Sequence, residues 1–383
     1  MESKADKIKK GGTLGKFDLS KYKKSKGLDT GIMDKETSYI PMGSAFCKTL
    51  GVRGVAKGEV YLFSGFSNTG KTTAMLECAV GCQKSNVLPV IIDTESNARF
   101  DHMQKMGLEF DLVYNESTGE TIPEGFFIYC STKTLAREYA KKEKRKEAAI
   151  EDLVEFISDI LDDQEEGKLP YDICFLWDSV GTLSSKQTNE SKGENAMWDA
   201  KALGNAFKYL LSHRIPLSRK TDSQYVNTFI AIQKVYSTPA MPIPQMKYKG
   251  GEALKYMARH IYHFGGMTTS GVKALNVTVK GKTITYGIET KVKVSKNHGS
   301  DFSFEGSLIS VSTGFISVDE LEKYKKEKVV PKVLEILKEQ EGWSDTDMSK
   351  MDMSDIKFGK VELKDDSGGD GTEDEGDSIE FGI

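Results

Sequence analysis

Residues Tyr61–Thr73 read YLFSGFSNTGKTT, and this stretch limits the architecture more than any other. The apolar run Tyr61–Phe63 has the character of a buried strand, and Ala74–Gln83 that of a helix. Between them stands Gly65-x4-Gly70-Lys71-Thr72, the strand–loop–helix setting that a phosphate-binding loop needs. Glycines let successive N–H groups turn toward one anion, and the helix N-terminus adds partial positive charge. Gly65, Phe66, Ser67, Asn68, Thr69, Gly70, Lys71, Thr72 and Thr73 are therefore the candidate phosphate contacts. Lys71 supplies a point charge for the β/γ-phosphates, and the Thr72 hydroxyl suits Mg2+.

The rest of the chain follows the same rhythm. Val87–Ile92, Phe126–Cys130, Ile173–Trp177 and Thr228–Ile232 are further buried-strand patterns. Helical segments alternate with them at Ala98–Met106, Leu135–Leu161 and Asn195–Leu211. Such alternation implies right-handed βαβ units and a mostly parallel twisted sheet, an α/β fold. After His260 the period shortens, and Leu275–Val279, Ile284–Val294 and Leu308–Val311 read as an antiparallel extension. Val318–Gln340 reads as helical, and from Gly342 the composition fades into Asp, Ser, Lys and Gly. The expected division is a flexible basic arm at 1–35 with an oligomerisation segment, an ATPase core at 36–315, a helical segment at 316–345 and a disordered acidic tail at 346–383.

Ligands of an open parallel sheet lie at the carboxyl ends of its strands. There the second strand delivers Glu95, a carboxylate able to orient an attacking water. The fourth delivers Asp178 after a hydrophobic run, the pattern of an acid that serves Mg2+. The fifth delivers Gln233, whose amide could sense a γ-phosphate. Two long loops leave the same side. Ser184–Trp198 carries Lys186, Lys192 and Trp198. Lys234–Gly251 carries Lys234, Tyr236, Lys247, Tyr248, Lys249, Gly250 and Gly251. Lysines meet phosphates and tyrosine faces stack on bases, so both loops are candidate DNA contacts. The charged run Lys141–Glu147 (KKEKRKE) reads as a solvated helix face instead.

Charge is divided along the chain. Residues 1–27 hold nine Lys and three acids, whereas 364–383 hold one Lys and eight acids. A basic arm with an acidic tail suggests a nucleic-acid partner and an internal competitor for it; two solvated ends are the plainer alternative. Phe17 and Tyr22 in the arm either plug a neighbouring subunit or pack on their own core. No apolar run approaches the ~20 residues of a membrane helix. The N-terminus lacks an apolar segment behind its lysines, so a cytoplasmic location without membrane contact is expected. The five cysteines, an odd number, suit reduced core thiols. Cys78 and Cys82 sit four apart on a helix, a spacing that favours packing over metal binding. His260 and His263 read as structural.

Taken in order, these segments resemble the RecA-type recombinases, and in particular their phage UvsX-like branch. The resemblance covers about residues 40–314. It rests on IPMGSAFCKTLGVRGVAKGEVYLFSG, GFSNTGKTT, VIIDTE, ICFLWDSVGTL, FIAIQ, KGGEALKY and ETKVKVSKNH. It implies a DNA-dependent ATPase that forms helical ATP-bound homo-oligomeric filaments on single-stranded DNA and pairs them with double-stranded DNA in recombination and repair. Single-strand-binding and loader proteins are the further partners implied. Carried over, Lys71, Thr72 and Thr73 bind phosphate and Mg2+, Glu95 is the catalytic carboxylate, and Asp178 serves Mg2+. Gln233 couples the γ-phosphate to the DNA loop, and Lys296 reaches the neighbouring protomer's ATP. Two departures stand out. His298 occupies the place of a second lysine, and the position of the usual adenine platform falls near His102. A ring helicase on the same core, or a mediator that binds ATP without hydrolysing it, are the alternative readings.

Overall fold

The computed structural model describes residues 18–28, 33–116, 119–191, 196–238, 245–267, 269–279, 281–298, 304–341 and 356–363. The arm through Phe17, Lys192 and the acidic run at 364–383 lie outside the described residues.

Apolar runs and alternating segments, bounded by polar turns, fold here as strands of one large sheet. They are β1 (Val60–Gly65), β2 (Val87–Asp93), β3 (Ile128–Ser131), β4 (Asp172–Val180), β5 (Thr228–Thr238), β6 (Gln245–Tyr248), β7 (His260–Phe264), β8 (Lys273–Val279), β9 (Lys282–Asn297), β10 (Glu305–Val311), β11 (Gly314–Ile316) and β12 (Ile356–Glu362). The parallel part runs β7-β1-β5-β4-β2-β3. An antiparallel wing continues from β7 through β9 to β10 and β11; β8 is attached to β9, and β12 pairs with β8. The chain is thus α/β with a mixed sheet, as its sequence pattern implies.

Helices cover both faces of the parallel part. Tyr61 and Phe63 pack toward α1 (Ser44–Leu50) and α2 (Lys71–Lys84), while Val60 and Leu62 pack toward α3 (Ile150–Glu165) and α4 (Ala196–Tyr209). This alternation is the period of two that a strand buried on both faces requires. On the α4 side, Trp177 stacks on Phe207 with centroids 5.2 Å apart. A third cluster lies under α5 (Val330–Glu341) and joins Leu275, Val277, Tyr286, Val333, Leu337 and Ile356. Among the described residues no helix is long and apolar enough to cross a membrane.

Three expectations need correction. The charged stretch Leu135–Leu161 is not one helix. It breaks into Thr132–Glu138, a short 3-10 turn at Ala140–Glu143 and α3, with Lys144 left-handed at φ 60°. The break is held from a distance: Arg145 folds inward onto buried Asp152, whose Oδ2 also accepts the Ala149 N–H at 2.8 Å. An acid at the third position that reaches back in this way starts a helix. Second, the expected loop Lys234–Gly251 is a strand pair at its root. β5 runs on to Thr238 and pairs with β6, Tyr236 opposite Lys247 and Val235 opposite Tyr248. Third, order does not end at residue 346. β12 pairs with β8 from Val279↔Ile356 to Lys273↔Glu362, burying Ile356 and setting Phe358 edge-on to Tyr286.

Replacing Ile356 by Ala should lower the unfolding free energy by about 2–4 kcal/mol, because it empties a buried site that β12 alone fills. Urea denaturation reads this directly; an unchanged midpoint would show that β12 is not part of the folded sheet in solution.

Candidate functional site

The carboxyl ends of β1, β2, β4 and β5 meet at one place, because these strands are parallel neighbours in the order β1-β5-β4-β2. β1 ends at Gly65, where a Cβ would collide with the Phe264 carbonyl oxygen of β7. The chain then loops over Phe66–Gly70 and enters α2. Asn68 takes a left-handed φ of 54°, a conformation its short amide tolerates. Lys71 is buried at the first turn of α2. Its ammonium is bonded to the Phe66 carbonyl and lies 3.2 Å from Thr69 Oγ1, so it spans its own loop. Burial lowers it to about 8, against the opposing pull of Asp178 and Glu95.

Thr72 Oγ1 donates to Asp178 Oδ2 at 2.7 Å. Burial lifts the Asp178 carboxyl to about 6, and the charge of Glu95 adds to the rise. Hydroxyl and carboxylate oxygens together are the donor set of a hard cation such as Mg2+, so the residues present fit that ion. Thr73 turns away from the loop: its hydroxyl pairs with Ser310 Oγ at 2.8 Å and ties α2 to β10.

Glu95 stands beyond β2 on a turn built by Asp93. Asp93 accepts the N–H groups of Glu95, Asn97 and Ala98 and the Tyr129 hydroxyl, and this frame aims Glu95 across to β4 and β5. Glu95 Oε1 accepts from Ser179 Oγ. Its Oε2 accepts from Lys234 Nζ at 2.9 Å and from Asn97 Nδ2 at 3.1 Å. Burial works to raise this carboxyl, yet Lys234 and Ser179 outweigh it and hold it below the ordinary range. Sequence reasoning missed Ser179, Asn97 and Thr94. Thr94 Oγ1 receives the Trp177 Nε1–H at 2.9 Å and the Ser179 N–H at 3.2 Å, which couples the two strand ends. The Asp-x-Glu-x-Asn run after β2 was the available signal, since such residues build local turns.

Gln233 is fully buried on β5, opposite Ser64 of β1. Its Nε2 donates to the carbonyls of Lys249 at 2.8 Å and Gly251 at 2.7 Å, gripping the far root of the β5–β6 hairpin. Its Oε1 is buried and has no hydrogen-bond partner among the described residues, so the amide turns an acceptor and no free N–H to a γ-phosphate, contrary to the expectation that it senses one directly. Gly250 lies against Gly181 at the end of β4, and a Cβ there would come within 2.9 Å of the Gly181 Cα.

The expected DNA contacts separate into two groups. Lys247 and Lys249 are exposed, and Tyr236 is 45% exposed on the hairpin. Tyr248 is instead buried, with Lys255 Nζ 4.8 Å from its ring centroid, so its face is not open for stacking. Lys234 is drawn into the site by Glu95. Lys186 is held by Glu143 at 2.7 Å, which removes it from the free lysines of its loop. Trp198 is half-buried on α4.

Lys296 pairs with Ile261, which pairs with Leu62, so it sits toward the start of β1 and not at the Gly65 end. Its ammonium donates to the Ala258 carbonyl at 2.5 Å. His298 follows it, its N–H on the Arg259 carbonyl at 3.2 Å. His102 is half-buried on the helix Phe100–Lys105, and its ring makes no hydrogen bond among the described residues. His263 bonds to Ser64 Oγ at 3.2 Å and the Gly266 carbonyl at 2.9 Å, a structural role. Cys174 of β4 joins Cys78 and Cys82 in a buried group whose sulfurs lie within 4.8 Å of one another. Burial keeps the Cys82 and Cys174 thiols far above their ordinary value, as protonated packing groups. No protein-family model matches the chain, and no curated protein sequence matches it.

A carboxyl whose folded value exceeds its unfolded one binds its proton more tightly when folded. For Asp178, stability is therefore lost as pH rises from 3.8 to about 6, and the loss is complete above that window. Asp178→Asn should gain stability relative to the parent across the same window and level off beyond it. Urea midpoints of both proteins at about pH 4 and about pH 7.5 check this; parallel curves would contradict the raised value.

Proposed function

We propose that the chain is a DNA-dependent ATPase of the RecA recombinase type, assembling on single-stranded DNA with ATP and Mg2+ and pairing that strand with a homologous duplex. One observation carries the reading. The Gln233 side chain lies beside the glycine-loop strand, grips the root of a lysine- and tyrosine-bearing hairpin with its N–H groups, and leaves its carbonyl oxygen buried and unpaired among the described residues. A residue so placed links whatever occupies the loop to whatever lies on the hairpin.

The roles follow from the chemistry of the groups. The loop N–H groups and Lys71 would hold the β/γ-phosphates, with Lys71 exchanging the Phe66 carbonyl for phosphate oxygens. Thr72 and Asp178 would hold Mg2+, which screens phosphate charge when bound. Glu95 takes up the proton of the attacking water. Gln233 reports the state of the site to the hairpin, where Lys247, Lys249 and Tyr236 contact a DNA strand. Lys296 faces the other end of β1, where only a second copy's nucleotide could meet it, as in a head-to-tail filament.

Lys71→Ala should abolish both ATP binding and hydrolysis. Glu95→Gln should retain ATP binding while hydrolysis falls by about 10²–10⁴-fold, the usual contribution of a positioned base. Fluorescent-nucleotide binding and phosphate release measure the two separately, and hydrolysis at the parental rate in either variant would remove that residue from the site. Electron microscopy of the protein with single-stranded DNA and a slowly hydrolysed ATP analogue tests the whole reading. Helical fibres support it, whereas closed rings would favour a helicase.

A further inference from the structure

The carboxylate assigned to catalysis is not free to act. Both Glu95 oxygens are engaged, one by Ser179 and the other by Lys234 and Asn97. The ion pair to Lys234 is shielded on the acid's side, with 10% of the Glu95 side chain and 32% of the Lys234 side chain exposed. Neighbouring cations hold the carboxyl below its ordinary range, which makes it a weaker base. Water would find no open acceptor in the direction of Lys234.

Lys234 is also the residue that leads out of the site. It stands opposite Gly65, first residue of the glycine loop, and β5 continues from it into the hairpin bearing Tyr236 and, across the ladder, Lys247. Its flexible stem and partial exposure let it trade one anion for another, and a DNA phosphate on the hairpin is such an anion.

We propose that Lys234 is a DNA-releasable clamp on Glu95: in the DNA-free protein it occupies the catalytic carboxylate and suppresses hydrolysis, and a phosphodiester laid along the hairpin draws it away. This rests on the ATPase reading and adds its control. Lys234 acts through Glu95 as a positioning residue, and no bond to the nucleotide is required of it. The clamp explains why a lysine in a DNA-facing segment turns inward, and it makes futile ATP turnover off DNA slow.

The test is steady-state ATP hydrolysis by the full chain, with and without saturating oligo(dT), for the parent, Lys234→Met, Lys234→Arg and the double variant Lys234→Met/Glu95→Gln. The parent should be slow without DNA and stimulated by it. Lys234→Met should raise the DNA-free rate about tenfold, toward the stimulated rate, so that stimulation largely disappears. Lys234→Arg should restore DNA dependence, which a purely structural role would not predict. The double variant should be inactive, showing that the gain runs through Glu95. A Lys234→Met protein with the parental DNA-free rate and undiminished stimulation would overturn the clamp while leaving the ATPase reading intact. So would loss of activity in both single variants with an unchanged melting temperature, which would make Lys234 a nucleotide contact. A parent inert with and without DNA would instead defeat the ATPase reading, and the clamp with it.

Discussion

The pairing of β1 between β5 and β7 is the constraint on which everything else hangs. One rung of that ladder holds Phe264, Gly65 and Lys234 side by side, and the rung before it sets Ser64 against Gln233. The first glycine of the loop is pressed so close to the Phe264 carbonyl that no side chain could stand there. The same hydrogen bonds therefore fix where the loop begins, where Lys234 starts and where the Gln233 amide is placed. A slip of one residue would turn Gln233 to the opposite face of the sheet and dismantle the site at a stroke.

Burial then sets the chemistry. Lys71 and Asp178 are neighbours of opposite charge whose values are pulled toward each other, the ammonium down and the carboxyl up, because both are withdrawn from water. Lys71 is bonded to its own loop and Asp178 to Thr72, so each has a neutral partner. Under the proposed function these are the bonds that a triphosphate and its cation replace. Gln233 Oε1, by contrast, is a buried acceptor with no hydrogen-bond partner among the described residues. Under the proposed function, a phosphate oxygen cannot donate to this acceptor, and a water held in the occupied site would satisfy it.

Much of this was legible in the sequence, for reasons that differ from residue to residue. The loop was readable because its glycines, lysine and threonine sit at fixed spacing between an apolar run and a helix. Glu95, Asp178 and Gln233 were readable because buried parallel strands announce themselves and their carboxyl ends converge. What could not be read were contacts made across the fold. Nothing local in KKEKRKE shows that Arg145 will bend back to Asp152 and split a helix, or that Glu143 will capture Lys186. The strand Ile356–Glu362 hides in a polar tail because it lies at a sheet edge, where only one side of each residue needs to be apolar. Tyr248 has the type of a stacking residue, but its register opposite Val235 turns it inward. Residue type suggested which side chains could serve as contacts, while register decided which of them are exposed.

The central claim is that the glycine-loop site and the hairpin form one mechanical unit joined through Gln233. The most direct measurement is the affinity for a fluorescently labelled single strand, by anisotropy, with a slowly hydrolysed ATP analogue and then with ADP, for the parent and for Gln233→Ala. The account predicts tight binding with the analogue and at least about tenfold weaker binding with ADP in the parent, and no nucleotide effect in the variant. Equal affinity in both nucleotide states of the parent, or an undiminished difference in Gln233→Ala, would contradict it.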